Sequence, residues 1–276
     1  MPTLTSSGTT LGYEDYGSGP TIVLLHGSPG TSKAWQRVGE HLSRRYRVIA
    51  PDLPGHGNTS PAPASRAADV SYAAGLVEKL IDRVGSPRVV AGHSYGGVVA
   101  LALALRHHAA VGGLALFEPV ALPVLEAVND GAAYGAAKAV FDDYLASFAR
   151  GDEQAARTMV DFWFGPGAFA AMPAAATTYL IGHTASNVLD VRATLGEHYS
   201  LEALATLEMP VLVVCGARSP DITFRIARAL ATHAPRGRLL TLEQANHALT
   251  ATHPEPVARL IAEVAGDVPG HPPIGG

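Results

Sequence analysis

The chain is nearly without cysteine: Cys215 is the single thiol among 276 residues, so no internal disulfide can staple the fold. It ends the apolar run Val211-Leu212-Val213-Val214-Cys215, where a cysteine is expected to pack as a small buried hydrophobe. Positive charge is scarce as well. Twenty Lys and Arg stand against 24 Asp and Glu, a formal net charge of −4, and no basic surplus is left to neutralise nucleic-acid phosphates. The basic residues are scattered, which argues against an anionic membrane surface. No apolar run reaches the ~20 residues of a bilayer-spanning helix. Residues 1–10 have neither the basic nor the apolar stretch of a secretory leader, and a soluble cytoplasmic protein is expected. No group of His, Cys, Asp and Glu has metal-ligand spacing, so no metal is expected. Charged residues are 16 % and apolar residues 47 %, which permits a large core and argues against general disorder.

Short apolar runs bounded by turn residues read as buried strands at 21–25, 46–50, 88–91, 113–117, 210–215 and 238–242. Helical patterns fall between most of them. Over 68–84, Val70, Ala73, Ala74, Val77, Leu80, Ile81 and Val84 share one face, and 96–107 and 221–233 follow the third and fifth runs. This alternation predicts a mostly parallel eight-stranded twisted sheet flanked by helices, an α/β fold. Its first two strands, 3–6 and 10–16, read as an antiparallel hairpin around Ser7-Gly8-Thr9. Between 117 and 210 the alternation stops. That Ala-rich segment predicts helices, among them 142–150 and 153–164, with Gly151 as a stop and Gly165-Pro166-Gly167 as a break. The expected division is a core of residues 1–120 and 196–265, a helical cap of residues 121–195, and a Gly/Pro-rich tail, 266–276, expected to be disordered.

The most specific motif is Gly92-His93-Ser94-Tyr95-Gly96, a G-x-S-x-G with an apolar strand before it and a helix after it. A sharp turn there lifts the Ser94 hydroxyl clear of the backbone, and the glycines let strand and helix approach closely. A serine hydroxyl needs a base to become a nucleophile. His247 follows the last apolar run on a loop, where such a base is expected. His253, in Thr252-His253-Pro254, is its rival and reads as the lead-in to the last helix. His107 and His108 end a helix, where positive charge suits the dipole.

These residues resemble the α/β-hydrolase superfamily over about residues 10–262, in the branch of small esterases, lactonases, carbon–carbon bond hydrolases, haloperoxidase-like enzymes and haloalkane dehalogenases. His26-Gly27-Ser28-Pro29-Gly30 is similar to the family's oxyanion loop. Asp52-Leu53-Pro54-Gly55-His56-Gly57 resembles the loop after its fourth strand, with Asp52 in a structural role. The resemblance implies oxyanion donors at the N–H groups of Ser28 and Tyr95. It also implies an acid, for which two positions are open. Many relatives carry it in a G-x-x-D pattern, but this chain reads Gly216-Ala217-Arg218-Ser219, with Asp221 two residues on. Others, including some haloalkane dehalogenases and the zearalenone lactonases, carry a glutamate before the cap, which corresponds to Glu118. Glu118 is the preferred acid, with Asp221 the alternative.

With Ser94 in the elbow, the aspartate-nucleophile chemistry of dehalogenases and epoxide hydrolases is disfavoured. The expected substrate is a small hydrophobic ester or lactone, cleaved through an acyl-enzyme that needs no cofactor. Hydrolysis of a carbon–carbon bond in a β-diketone or dienoate on the same triad, and a slow-turnover ligand receptor, are the alternatives. Candidate pocket walls are Phe141, Tyr144, Phe148, Phe162, Trp163, Phe164, Phe169 and Tyr179.

Overall fold

The computed structural model describes residues 1–6, 8–106 and 111–266. Its eight strands are β1 (Thr3–Ser6), β2 (Thr9–Gly17), β3 (Thr21–Leu25), β4 (Arg47–Pro51), β5 (Val89–His93), β6 (Leu114–Phe117), β7 (Val211–Gly216) and β8 (Gly237–Leu242). They form one sheet in the order β1-β2-β4-β3-β5-β6-β7-β8. β2 runs antiparallel to β1 and β4, and every other pairing is parallel. The expected hairpin is present in Thr5↔Thr10 and Ser6↔Thr9.

The central strands are apolar on both faces because both faces are covered. Leu114 and Leu116 of β6 enter one core, and Ala115 and Phe117 enter the other. Helices α1 (Gln36–Leu42), α2 (Val70–Val84) and α3 (Tyr95–Arg106) follow β3, β4 and β5. Six short or medium helices lie between β6 and β7: α4 (Val124–Ala127), α5 (Gly131–Ala149), α6 (Ala156–Phe164), α7 (Ala168–Ala171), α8 (Ala174–Gly182) and α9 (Thr184–Leu195), before a final turn, α10 (Leu201–Leu204). Then come α11 (Asp221–His233), α12 (Leu249–Thr252) and α13 (Pro254–Val264). Helices α2, α3 and α11 cover one face of the sheet, and α1 and α13 cover the other.

Three expectations are corrected. The run 238–242 is an edge strand, not a buried one; it has a neighbour on one side only, and Leu239 is 38 % exposed. The helix expected from 142 begins at Gly131. Its first turns hold alanines, whose helix propensity outweighs Gly131 and Gly135 without any apolar stripe to mark them. The helix expected from 153 begins at Ala156, because Asp152 ties the preceding turn by accepting from the Gln154 N–H and the Ser147 hydroxyl. His107, His108 and residues 267–276 lie outside the described residues. Among the described residues no helix is long and apolar enough to cross a membrane.

Candidate active site

His93 ends β5, Phe117 ends β6, and the two are register partners. The next residue of each strand therefore emerges at the same point on the carboxyl edge of the sheet. Those residues are Ser94 and Glu118. The ladder runs one step further through both: the Ser94 N–H donates to the Phe117 carbonyl at 3.0 Å, and the Glu118 N–H to the Val214 carbonyl at 2.8 Å. Both then turn sharply, Ser94 with φ 53° and Glu118 with φ 48°. Left-handed backbone at a non-glycine residue costs about 1–3 kcal/mol and persists where the surrounding structure imposes it. Here glycines make the elbow possible. A Cβ on Gly92 would lie 2.2 Å from the Gly96 carbonyl oxygen, and one on Gly96 would lie 2.3 Å from that of Leu25.

His247 arrives on the loop after β8. That loop presses on the end of β7, where a Cβ at Gly216 would lie 2.5 Å from the Ala245 carbonyl. It is held from the elbow as well, since His93 Nε2–H donates to the His247 carbonyl at 2.8 Å. His247 Nδ1 meets Glu118 Oε2 at 2.7 Å, and His247 Nε2 meets Ser94 Oγ at 3.1 Å. A carboxylate only accepts, so Nδ1 carries the proton, Nε2 is bare, and the Ser94 hydroxyl donates to it. All three side chains are buried, Glu118 completely.

The remaining oxygen of Glu118 is also engaged. Oε1 accepts from the Gly216 N–H at 2.6 Å and from the Ser219 hydroxyl. Burial alone would raise this carboxyl; the His247, Ser219 and Gly216 donors outweigh it and hold it below the ordinary glutamate value. Asp221, the alternative acid, is not in the cluster. It opens α11 on the surface and pairs with Arg225 at 2.5 Å. His253 bonds Thr252 at 2.8 Å and takes no part.

The donors expected from the resemblance lie beside Ser94. Tyr95 opens α3, so its N–H has no intrahelical acceptor and sits at the positive helix end. Ser28 lies on the loop after β3. The neighbouring Gly27 is a close-approach position, since a Cβ there would lie 2.9 Å from His93 Nδ1 and 3.0 Å from the Ser94 Cβ. His26 fixes this loop: its Nδ1–H donates to the Gly27 carbonyl, and its Nε2 accepts from the Leu53 N–H, both at 2.9 Å. Burial, with the neighbouring His56, pushes the His26 ring down to about 3, so it stays neutral. Asp52 accepts from the Ser32 and Asn58 N–H groups at 2.7 and 2.8 Å, tying two loops together.

A family model for the alpha/beta hydrolase family matches residues 22–260. The chain belongs to that family. It is 30 % identical over 255 residues to a pimeloyl-[acyl-carrier protein] methyl ester esterase of Aromatoleum aromaticum, covering 89 % of this chain and 98 % of that one. Among solved structures it is similar to a thermophilic esterase from Thermogutta terrifontis, with a TM-score of 0.72, 25 % identity and 95 % of each chain covered. An enol-lactonase from Burkholderia xenovorans shares the fold at a TM-score of 0.74 and 20 % identity, covering 96 % of this chain and all of that one.

In this hydrolase a cavity of about 330 Å³ opens onto Ser94 and His247. Its walls are mostly apolar, with Met159, Val160, Trp163, Met172 and Leu180 from the inserted segment, and no Lys or Arg lines it among the described residues. Of the expected aromatic walls, Tyr144, Trp163 and Phe164 do line it. Phe141 and Phe162 instead pack edge-on against Trp163, Phe169 joins a small cluster with Ala156 and Val160, Phe148 packs on the core, and Tyr179 stacks on His183.

Sequence reasoning missed the polar ties from α9. Asn187 Nδ2–H donates to Ser28 Oγ at 2.9 Å, while Tyr144 donates to Asn187 Oδ1 at 2.7 Å. One turn on, Asp190 accepts from His56 Nε2–H at 2.7 Å; burial, and then the Asp190 charge, raise the Tyr95 phenol. Ser28 is thereby bonded through its side chain to α9, which presents Asn187 and Asp190 on one face. Their i, i+3 spacing was the available signal.

Proposed function

We propose that this hydrolase cleaves a carboxylic ester or lactone with an apolar acyl group, through an acyl-enzyme on Ser94. The observation that carries the reading is the pair of consecutive hydrogen bonds, 3.1 Å from Ser94 to His247 and 2.7 Å from His247 to Glu118. Ser94 Oγ attacks the carbonyl carbon while His247 Nε2 takes its proton. Glu118 holds the ring in the required tautomer and stabilises the imidazolium without becoming protonated itself. The tetrahedral oxyanion rests on the N–H groups of Ser28 and Tyr95, and one such donor is worth about 2.7–4 kcal/mol in the transition state. His247 returns its proton to the leaving alkoxide. A water molecule, deprotonated by the same ring, then releases the acid and restores Ser94.

The helices between β6 and β7 act as a cap that shapes the acyl site. Their apolar walls, with no Lys or Arg among the described residues that line the cavity, favour a neutral acyl chain over a free carboxylate. The methyl ester esterase relative supports a small alkyl ester in particular. The test is hydrolysis of p-nitrophenyl butyrate, methyl esters of graded acyl length and simple lactones by the wild-type protein and by Ser94→Ala. Turnover by the wild type that the variant lacks is expected. Equal turnover by both would remove Ser94 from the chemistry.

A further inference from the structure

The Trp163 indole lies flat on the His247 ring, with centroids 4.6 Å apart and planes 11° from parallel. Trp163 comes from α6 in the inserted segment and has no part in the Ser94–His247–Glu118 chain of hydrogen bonds. Its own position is fixed from behind. Phe162 and Phe141 meet it edge-on at 4.8 and 6.1 Å, with interplanar angles of 80° and 84°. A buried aromatic so wedged cannot rotate away without breaking two edge contacts.

An indole face is the best aromatic partner for a cation. In the reaction His247 becomes positively charged as it takes the Ser94 proton, so a π face over that ring favours the transition state over the neutral resting ring. We propose that Trp163 is a positioning residue that stabilises the imidazolium of His247 by stacking on it. The proposal rests on the Ser94–His247 reading above. The other groups around this ring are Glu118 at Nδ1, Ser94 at Nε2, the His93 ring at 5.1 Å and the Phe164 edge at 6.0 Å. His93 adds no charge, because burial holds it down to about 4 and its Nε2–H is spent on the His247 carbonyl. Glu118 supplies the ionic stabilisation, and Trp163 supplies the polarisable face.

The experiment measures kcat/KM for p-nitrophenyl butyrate from pH 4.5 to 9 in wild type, Trp163→Phe and Trp163→Leu, beside the rate at which a fluorophosphonate labels each protein. Circular dichroism checks the fold of each. With the π face removed, the imidazolium is less stable and His247 is a weaker base. In Trp163→Leu the acid limb is expected to move to lower pH by about half a unit to one unit, equal to about 0.7–1.4 kcal/mol at 1.36 kcal/mol per unit. Plateau activity and labelling rate are expected to fall together, with Trp163→Phe between the two. A lowered plateau with an unmoved or alkaline-shifted limb would mean that Trp163 only fills space, and the proposal would be wrong. Wild-type protein that turns over the ester without labelling at Ser94 would instead overturn the function on which the proposal rests.

Discussion

Glu118 is fully buried, and three donors converge on its two oxygens: His247, Ser219 and the Gly216 N–H. Replacing it with glutamine keeps the shape but removes the charge that faces the imidazolium. Glu118→Gln is therefore expected to lower kcat by about three to four orders of magnitude, while Asp221→Asn leaves kcat unchanged. The reverse result would return the acid role to Asp221. Because the Glu118 carboxyl is depressed on folding, its contribution to stability is present above the ordinary glutamate value and is lost as pH falls through the lower folded one. Ser94, His247 and Glu118 were legible because each follows an apolar run that becomes a strand ending at the same edge. Ser219 was not. In the sequence it reads as an acid that is missing, whereas in the fold its hydroxyl supports the acid one strand away.

Helix α9 carries the least legible part of the site. Thr184, Asp190 and Thr194 are buried polar residues on a helix whose apolar stripe is weak, and polarity in such a pattern ordinarily marks the solvent face. Only their partners reverse that reading: Ser28 for Asn187, and His56 for Asp190. The two ties have different consequences. Asn187→Ala frees the Ser28 loop from the inserted helices, and kcat is expected to fall about tenfold with little change in unfolding midpoint. Asp190→Ala leaves the buried His56 N–H without its acceptor and is expected to cost about 1–3 kcal/mol of stability, read from urea unfolding. If Asn187→Ala left kcat and KM untouched, the link from α9 to the oxyanion loop would have no catalytic meaning. The start of α5 was hidden for another reason: an alanine-rich turn has propensity but no periodicity.

At the scale of the molecule, strand–helix alternation made the sheet readable, because buried parallel strands are short continuous apolar runs. The exception, β8, lies at the open edge of the sheet, which no local pattern announces. The two histidines that brace the nucleophile also set how the whole molecule answers acid. Burial is the main cause that pushes His26 down to about 3 and His93 down to about 4. The unfolded chain would protonate both near pH 6.5. Between that pH and each folded value the unfolded state therefore binds more protons, and stability falls as pH falls. Urea unfolding at pH 7, 6 and 5 is expected to show a loss approaching about 1.4 kcal/mol per pH unit for each of these two rings below pH 6. A flat profile would mean that the rings titrate normally and are not buried as described.

The most direct test of the account is to mix the protein with excess p-nitrophenyl butyrate, quench within the first turnover and map the added mass by peptide mass spectrometry. A burst of p-nitrophenol and a butyryl group on the peptide that contains Ser94 are expected, with neither in Ser94→Ala. Steady hydrolysis with no acyl group on Ser94, or a burst that survives in Ser94→Ala, would contradict it.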